Sequence, residues 1–222
     1  MRAGDPLSRR DLLRLSGVGG VLLAATASPA IAQQAIRRTP AQILGPFYPV
    51  VKPLDQDADL TMIAGKPGRA AGQVIDVMGR IINRHRKPVS GAKVEIWQAN
   101  THGRYTHPSD RNTAPLDPNF EGFAVLTTDD EGRYRFRTIK PGAYPEDSGV
   151  MRAPHIHFDI TGRTNRLVTQ MYFAGEPLND ADRFLHTALA NRNRLIVPFG
   201  PSPEQKDAAP LTGVWDIVLD EG

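Results

Sequence analysis

Two histidines separated by a single residue are the feature of the sequence most suited to chemistry. His155 and His157 lie in the stretch RAPHIHF, residues 152–158. In a β-strand, residues two apart point to the same side, so the two imidazoles project from one face while Ile156 and Phe158 project from the other. Two imidazoles at this spacing can hold one metal ion. Taken alone, the pair is more typical of hydrogen-bonded strand histidines, and a metal site needs further ligands.

Tyrosine, histidine and carboxylate side chains are the candidates for those ligands, because the chain contains no cysteine. Tyr105 and Tyr144 each belong to a turn-rich segment, from which a side chain can be aimed at a site. A tyrosine after a turn is in general a packed aromatic whose hydroxyl bonds to the backbone, so neither tyrosine alone identifies a ligand. The absence of cysteine also excludes disulfides, thiolate metal sites and cysteine nucleophiles.

Composition indicates a globular protein of the all-β class. Of the 222 residues, 40% are hydrophobic and 23% are charged, and no apolar run reaches the roughly 20 residues of a membrane-spanning helix. Twenty glycines and 19 prolines divide the chain into short segments, which favours short strands over a helical bundle. The net charge is +3, but residues 1–32 carry four arginines and two aspartates. The rest of the chain is therefore nearly neutral and has no basic stripe for nucleic acid.

Residues 1–32 are predicted to be an export signal. Arg9 and Arg10 precede an apolar stretch over residues 18–27, and Ala-Ile-Ala at 30–32 has the small-residue pattern of a cleavage site. This order resembles a twin-arginine export signal, which predicts a periplasmic or secreted protein. A non-cleaved amphipathic start is the alternative. Residues 33–72, rich in proline, aspartate and glycine, predict an irregular N-terminal arm.

The remaining residues, 73–222, are predicted to form a two-sheet β-sandwich with a prealbumin-like core and one short helix. Alternation of β-branched or aromatic residues with polar ones predicts eight strands. They span residues 73–83, 93–98, 122–127, 133–139, 154–161, 166–173, 194–197 and 213–219. The helix is predicted over 179–190, with Asn179 or Asp180 as its cap. Its apolar face would carry Phe184, Leu185 and Leu189.

A series of spaced motifs resembles the intradiol ring-cleaving catechol dioxygenases, the family that includes protocatechuate 3,4-dioxygenase. The motifs are LGPFYP at 44–49, PVSGA at 88–92, VEIWQAN at 94–100, GRY at 103–105 and again at 132–134, KPGAYP at 140–145, RAPHIHF at 152–158 and TQMYF at 169–173. They cover most of the chain after the predicted signal. The pattern is similar to the iron-bearing subunit type of that family and to its compact, protocatechuate-like scaffold.

The resemblance implies a non-haem ferric iron with four protein ligands, which are Tyr105, Tyr144, His155 and His157. Two phenolates and a hydroxide would cancel the charge of the ion, since an uncompensated buried trivalent cation is prohibitively costly. By the same resemblance, Tyr144 is the phenolate that an incoming catechol displaces, and Tyr105 stays bound. The implied reaction uses O2 to cleave the ring bond between the two hydroxyl-bearing carbons of a small aromatic vicinal diol. The product is a cis,cis-muconate-type diacid.

Two further residues fall on positions beside the family's ligands. Arg152 matches its active-site arginine, and the cation can stabilise negative charge on the ring. Gln170 matches its glutamine, for which orientation of oxygen or of the displaced tyrosine and a purely structural amide are both open. The family pattern leaves the choice among protocatechuate, catechol and hydroxyquinol open, as well as assembly into a homo-oligomer.

Two other folds can be compared with the same residues. A cupin motif would start at Gly149 and use His155 and His157, but Thr161 and Gly162 stand where it needs a glutamate. The serious alternative is a non-catalytic, exported prealbumin-like binding module, in which the turn at 88–92 is purely architectural. Such a module has no need of the tyrosine and histidine set, so scattered positions for these side chains would favour it.

Overall fold

The computed structural model describes residues 36–146, 148–202 and 210–221, all within one unit spanning residues 34–222. Twelve strands are present in these ranges. They are β1 (Val74–Asn83), β2 (Lys93–Trp97), β3 (Phe123–Thr127), β4 (Arg133–Ile139), β5 (Tyr144–Pro145), β6 (Met151–Arg152), β7 (His155–Thr161), β8 (Arg166–Phe173), β9 (Ile196–Val197), β10 (Phe199–Gly200), β11 (Leu211–Val214) and β12 (Ile217–Leu219). The predicted export signal lies outside the described residues.

The strands form two five-stranded sheets and one two-stranded ribbon. In the first sheet, β1 pairs antiparallel with β4 along one edge and parallel with β11 and then β12 along the other. In the second sheet the order is β3-β2-β7-β8-β9, and every pair except β8 with β9 is antiparallel. The ribbon joins β5 to β6. The predicted all-β sandwich is therefore confirmed.

One apolar core lies between the two sheets. Strand β1 contributes Ile75, Val77 and Ile81, and β7 contributes Ile156 and Phe158, all at most 1% exposed. These positions alternate with polar ones along β1, as expected for a strand with one buried face. Burial of such side chains is the dominant favourable contribution to the fold.

Strand β7 is buried on both faces. Its other face carries His155 and His157, each 2% exposed, because the segment before β1 crosses over it. The carbonyl oxygen of Pro40 accepts a hydrogen bond from Thr169 Oγ1 at 2.8 Å, and that of Ile43 accepts one from Gln170 Nε2 at 2.9 Å. Residues 36–72 contain no helix and no strand beyond a single bridge residue. This segment thus fixes the outer face of the second sheet.

The helix predicted over 179–190 is wrong in its bounds and its cap. The chain forms three short helices instead, a 3-10 helix at Pro177–Asp180, an α-helix α1 at Arg183–Thr187, and a 3-10 helix at Leu189–Arg194. Asp182 caps α1, because its Oδ1 accepts hydrogen bonds from two backbone N–H groups, both at 3.0 Å. Leu189 has φ +49° and is 77% exposed, so it interrupts the helix and leaves its apolar face.

The strand predicted over 213–219 is divided in two. Trp215 N donates to the carbonyl oxygen of Met78 at 2.8 Å, and Asp216 Oδ1 accepts from the backbone N–H of Arg80 at 2.9 Å. Gly79 permits this close approach, since a Cβ there would lie 1.9 Å from Trp215 O. The chain therefore pairs first as β11 and then as β12 along the same edge of β1. No helix in the described ranges has the length and apolar character needed to cross a membrane.

Candidate metal centre

The two predicted histidines lie side by side on the outer face of the second sheet. The Nε2 atoms of His155 and His157 are 3.2 Å apart. His155 Nδ1 is 2.6 Å from the carbonyl oxygen of Ala153, which requires a proton on Nδ1 and leaves a lone pair on Nε2 of the neutral ring. Two ligands about 2.1 Å from one ion are about 3 Å apart when the angle between them is roughly 90°. The separation fits two imidazoles that share one metal ion.

The ring of His157 is fixed from two sides. Trp97 is its register partner on β2, and the two rings stack at 4.7 Å between centroids with an interplanar angle of 8°. From the N-terminal segment, Gly45 approaches the ring so closely that a Cβ there would lie 3.1 Å from His157 Cε1. Gly45 also has φ +78°, a conformation that favours glycine. These contacts hold the imidazole in one orientation.

Tyr105 and Tyr144 meet the two histidines at the same place. The ring centroids of the two tyrosines are 5.5 Å apart, Tyr105 is 6.3 Å from His157, and Tyr144 is 5.6 Å from His155. The Oη atom of Tyr105 is buried and has no hydrogen-bond partner among the described residues. A buried hydroxyl is normally satisfied, so this oxygen points to a ligand that the protein atoms do not supply.

Glycine contacts bring the two tyrosine-bearing loops together. A Cβ at Gly103 would lie 2.2 Å from the carbonyl oxygen of Ala143, and Gly103 has φ +77°. On the other loop, Gly142 N donates to the carbonyl oxygen of Asn100 at 2.9 Å. The backbones of the two loops therefore touch directly one or two residues from each phenol. Glycine at 103 is required both by its conformation and by the lack of space.

Strands β5 and β6, which the sequence did not predict, place the second tyrosine beside the predicted arginine. Tyr144 and Arg152 are register partners in this two-stranded ribbon. The chain then continues directly into β7, so residues 144–157 deliver a phenol, a guanidinium and two imidazoles from one hairpin and its following strand. Each strand of the ribbon has only two residues, too few for alternation to show.

Arg152 is buried, and two of its three guanidinium nitrogens have hydrogen-bond partners in the described part of the chain. Its Nε donates to Asp182 Oδ2 at 2.8 Å, and one terminal nitrogen donates to Gln170 Oε1 at 2.8 Å and to Tyr172 Oη at 3.2 Å. Gln170 Oε1 also accepts from Tyr172 at 2.9 Å. Gln170 thus lies behind Arg152 and orients its guanidinium, and its Nε2 is already bonded to the N-terminal segment. These contacts place Gln170 beside Arg152, and the catalytic role of Gln170 stays a prediction.

Asp182 is the functional residue that sequence reasoning missed. It is 0% exposed, and while Oδ1 caps α1, Oδ2 accepts hydrogen bonds from Arg152 Nε and from Ala153 N at 3.0 Å. The capped helix carries Phe184, whose ring lies 4.4 Å from the Arg152 guanidinium carbon, a cation–π distance. Asp182 marks a helix start in the sequence, but nothing local shows that its second oxygen reaches an arginine thirty residues earlier.

Burial keeps all four candidate ligands neutral in the absence of a cation. The pKa of His155 is lowered well below its usual value by burial and then by the Arg152 cation. The pKa of His157 is lowered by burial and by its neighbour His155. Burial raises the pKa of Tyr144 and raises that of Tyr105 further, with Tyr144 adding to the effect at Tyr105. The imidazoles are therefore ready to donate lone pairs, whereas the phenols ionise only if a strong positive charge arrives.

The donor set fits a hard trivalent cation. Among the described residues, no cluster of three or more histidine, aspartate or glutamate side chains could hold a metal. A metal ion at His155 and His157 would therefore need the oxygens of Tyr105 and Tyr144. Two phenolates contribute two negative charges, which is the compensation that a buried trivalent ion requires. The unsatisfied Tyr105 hydroxyl and the two facing Nε2 atoms agree with this arrangement.

A cavity of about 460 Å³ lies beside the four rings. Of the four, only Tyr144 belongs to its lining, together with Arg152, Phe47 of the N-terminal segment and Phe184 of α1. The cavity is large enough for one substituted aromatic ring. Tyr144 and Arg152 are thus the predicted site residues that a molecule in this cavity would contact.

Comparison with known proteins agrees with this fold. The profile of a family described as Dioxygenase matches residues 43–221. The beta chain of protocatechuate 3,4-dioxygenase from Burkholderia cepacia is 49% identical over 168 residues, which cover 73% of this chain and 71% of that one. The chain therefore belongs to the intradiol ring-cleavage dioxygenases, and it is an enzyme of that class.

Other relatives differ in length. Catechol 1,2-dioxygenase 1 from Acinetobacter lwoffii is 33% identical over 174 residues, which cover 72% of this chain and only 53% of that enzyme. Among solved structures, the dioxygenase domain of a dioxygenase carbohydrate-binding protein fusion from Streptomyces sp. SirexAA-E superimposes with a TM-score of 0.61. It is 28% identical, and the match covers 84% of this chain and all of that domain. The chain thus corresponds to about half of the catechol enzyme and to a whole compact domain.

Proposed function

We propose that the protein is a ferric, non-haem intradiol dioxygenase that cleaves the ring of a small aromatic vicinal diol between its two hydroxyl-bearing carbons. The observation that carries this proposal is the convergence of two imidazoles and two phenols from three stretches of chain, with the two Nε2 atoms 3.2 Å apart. Family membership supplies the class of reaction. The positions of the side chains support a role for each of them.

His155 and His157 would be the neutral ligands of the iron, and Tyr105 and Tyr144 the anionic ones. When bound, ferric iron supplies the Lewis acidity that holds an ionised diol and makes its ring reactive toward dioxygen. Tyr144 lines the cavity, so its Oη is the protein base that meets the diol and takes one of its protons. Tyr105 does not line this cavity and would remain in place as a ligand.

Arg152 would stabilise the negative charge that the diol carries into the cavity. Its guanidinium is almost fully buried, and burial alone would lower its pKa. The phenolic groups of Tyr144 and Tyr172 and the carboxylate of Asp182 outweigh this effect and raise the pKa instead. The cation therefore persists in a place of low dielectric, where it acts most strongly on charge in the substrate.

Export through a twin-arginine signal is a further part of the proposal. Its support is the sequence of residues 1–32, with Arg9 and Arg10 before an apolar stretch and a small-residue cleavage pattern. Replacement of both arginines by lysine should retain the protein in the cytoplasm with its signal uncleaved. Unchanged export of that variant would refute this part alone.

The test of the activity combines iron content, colour and oxygen uptake. The purified protein should contain one iron per chain, absorb visible light through phenolate-to-iron charge transfer, and consume oxygen with catechol, protocatechuate or hydroxyquinol. Tyr105→Phe should weaken the colour and remove most of the uptake. Tyr134→Phe is the matched control, since Tyr134 is an equally buried tyrosine in the opposite sheet whose hydroxyl donates to Trp215 O.

Two results would contradict the proposal. A product cleaved beside, rather than between, the hydroxyl-bearing carbons would show a different reaction. A colourless, metal-free protein that consumes no oxygen after incubation with iron would instead favour the non-catalytic binding module.

A further inference from the structure

One short stretch of the N-terminal segment covers two of the four candidate ligands. We name this stretch, residues 43–47, the covering loop. A Cβ at Gly45 would lie 3.1 Å from His157 Cε1 and 3.6 Å from His157 Nε2, and Nε2 is the atom that would bind the metal. The ring of Phe47 lies 4.6 Å from the ring of Tyr105. A metal ion held by these ligands would therefore be closed off from solvent by the covering loop.

The chain that leads into the covering loop is fixed to the sandwich. Thr39 N donates to Val218 O at 3.0 Å, and Val218 N donates to Thr39 Oγ1 at 2.9 Å. Arg194 donates from Nη1 to Arg38 O and from Nη2 to Arg37 O, both at 2.5 Å. Hydrogen bonds from a charged donor are stronger than those between neutral groups. The guanidinium of Arg194 therefore clamps two successive carbonyl groups in place.

The chain that follows the covering loop is fixed as well. Tyr48 Oη donates to Glu95 Oε2 at 3.1 Å, and Lys52 forms an ion pair with the same carboxylate. Farther along, Val125 N donates to Gln56 O at 3.1 Å. The N-terminal segment is thus attached to the second sheet on both sides of the covering loop.

The covering loop itself is held by few polar contacts. Residues 44–47 make no hydrogen bond within the described part of the chain, and Ile43 is 41% exposed. Segments with few hydrogen bonds and exposed side chains are those that open locally at a small free-energy cost. The strength of the flanking attachments therefore determines how often this loop lifts away from His157 and Tyr105.

The other way out of the centre leads through the cavity beside Tyr144. Arg152 and Arg183 both line this cavity. A metal cation on this path would pass close to the buried guanidinium of Arg152, and like charges repel strongly where water is excluded. The covering loop has the sequence ILGPF and carries no charge. Electrostatics therefore favours the path under the covering loop.

We propose that the covering loop is the gate through which the metal ion enters and leaves its site, and that Arg194 is the clamp that keeps this gate closed. This inference rests on the proposed function, since it concerns the ion of the same site. The side chain of Arg194 bonds to the backbone of residues 37 and 38 and to none of the four ligands. Its effect on the metal is therefore exerted through the N-terminal segment.

The test measures how fast iron leaves the purified, iron-loaded protein in an excess of a strong chelator, with elemental analysis of the iron that stays on the chain. Arg194→Gln should raise the release rate at least about tenfold, because it removes two charge-assisted hydrogen bonds. Arg194→Lys should recover part of the loss, since lysine keeps the charge but not the fork. Arg192→Gln is the matched control in the same 3-10 helix, because Arg192 pairs with the exposed Asp180 at 3.3 Å, and it should not change the rate.

A second variant releases the attachment on the other side of the covering loop. Tyr48→Phe removes the hydrogen bond to Glu95 and keeps the ring, which lies 5.0 Å from that of Trp97. We expect release about threefold faster or more. If iron left through the cavity instead, Phe184→Ala would speed release, because it removes a ring from the lining, and Arg194→Gln would leave the rate unchanged. That pair of results would overturn the gate.

Hydrogen exchange separates opening of the gate from general unfolding. The amide of Gln42, which donates to Val168 O at 2.9 Å, should exchange faster in Arg194→Gln, whereas the amide of Ile81 in β1 should not. Equal acceleration at both amides would attribute faster release to global destabilisation and overturn the clamp. A protein that retains iron but cleaves no diol would contradict the proposed activity, while the release rates would still decide on the gate. A protein that takes up no iron before the chelator is added would overturn both.

Discussion

The two faces of β7 are buried equally well but by different means. On the inner face, Phe158 lies against Tyr134, Phe136 and Trp215 of the opposite sheet, with ring centroids 5.1 to 6.1 Å apart. On the outer face, His157 lies between an indole and the backbone of the N-terminal segment. The inner face is an apolar core, whereas the outer face is a polar site that loops and an irregular segment enclose.

The inner face therefore contributes mainly to the stability of the fold, and the outer face to the chemistry of the site. Apolar contacts are non-directional, so other apolar side chains of similar volume can fill the same space. The outer face instead buries polar groups that must each find a partner. Glu95 and Asp159 are register partners on this face, and each is 3% exposed. Glu95 is paired with Lys52 and Lys93, and Asp159 with Arg166. Near the tyrosines the partners are incomplete, since Tyr105 Oη has no hydrogen-bond partner among the described residues.

The largest expected contrast comes from one substitution on each face. His157→Ala should abolish iron binding and oxygen uptake, because one neutral ligand is lost, while the free energy of unfolding of the iron-free protein changes little. Phe158→Ala should cost about 3 to 5 kcal/mol of stability through a cavity in the core. Iron analysis and urea unfolding of both iron-free variants measure the contrast. A His157→Ala protein that keeps its full iron content would exclude this residue as a ligand.

The strands that form the apolar core could be predicted from sequence, because the alternation of apolar and polar residues is a local pattern. Seven of the predicted strand segments correspond to single strands of the two sheets, with ends that differ by at most two residues. The eighth is divided by Trp215, which bonds to the backbone of β1. The predicted bounds of the helix were wrong at Leu189, because the left-handed backbone conformation of this residue depends on tertiary packing and not on apolar spacing.

The site was only partly predictable, for a physical reason. Tyr105, Tyr144, His155 and His157 were found through motif resemblance, and the structure brings all four together. Their spacing in sequence carries no information about the backbone contact between Gly103 and Ala143 that joins the two loops. In the same way, the bond from Asp182 to Arg152 joins elements far apart in the chain and has no local pattern.

Gly103→Ala should have the second largest effect. An added Cβ would lie 2.2 Å from Ala143 O and would force a residue with a side chain into φ +77°, so the two tyrosine loops must separate. We expect loss of most of the visible colour and roughly 2 to 3 kcal/mol of stability. Gly91→Ala is the control, because Gly91 has φ +69° but nothing lies within 4 Å of its Cβ position. Equal effects on colour in both variants would mean that conformation alone, and not loop contact, explains the result.

Asp182→Asn should act on catalysis more than on folding. Asparagine caps a helix as well as aspartate does, but it removes the charge that orients Arg152. We expect kcat to fall by about tenfold to a hundredfold, which corresponds to the loss of one or two charge-assisted hydrogen bonds, with a smaller change in KM. Steady-state kinetics and thermal unfolding separate the two effects. Asp180→Asn is the control, since the Asp180 side chain is 84% exposed. A variant that loses stability but keeps kcat would give Asp182 a purely structural role.

The smallest effect concerns the pH dependence of stability on the outer side. Burial, followed by the nearby carboxylate of Asp55, raises the pKa of Glu121 to about 7. At pH values between the ordinary glutamate pKa and about 7, Glu121 is protonated in the folded protein but ionised in the unfolded chain. The free energy of unfolding therefore falls as pH rises through this range. Because Glu121 is only half-buried, solvent reduces the expected loss to about 1 kcal/mol.

Glu121→Gln should remove this pH dependence and stabilise the protein at pH values above that range. Urea unfolding at the two ends of the range measures the difference in slope. Glu131→Gln provides the control, since the Glu131 side chain is exposed in the turn between β3 and β4 and should leave the slope unchanged. A Glu121→Gln protein with the same slope as the natural one would show that the carboxyl is ionised throughout the range. The outer face would then tolerate a charge near Asp55 without cost, unlike the apolar face on the other side of the same sheet.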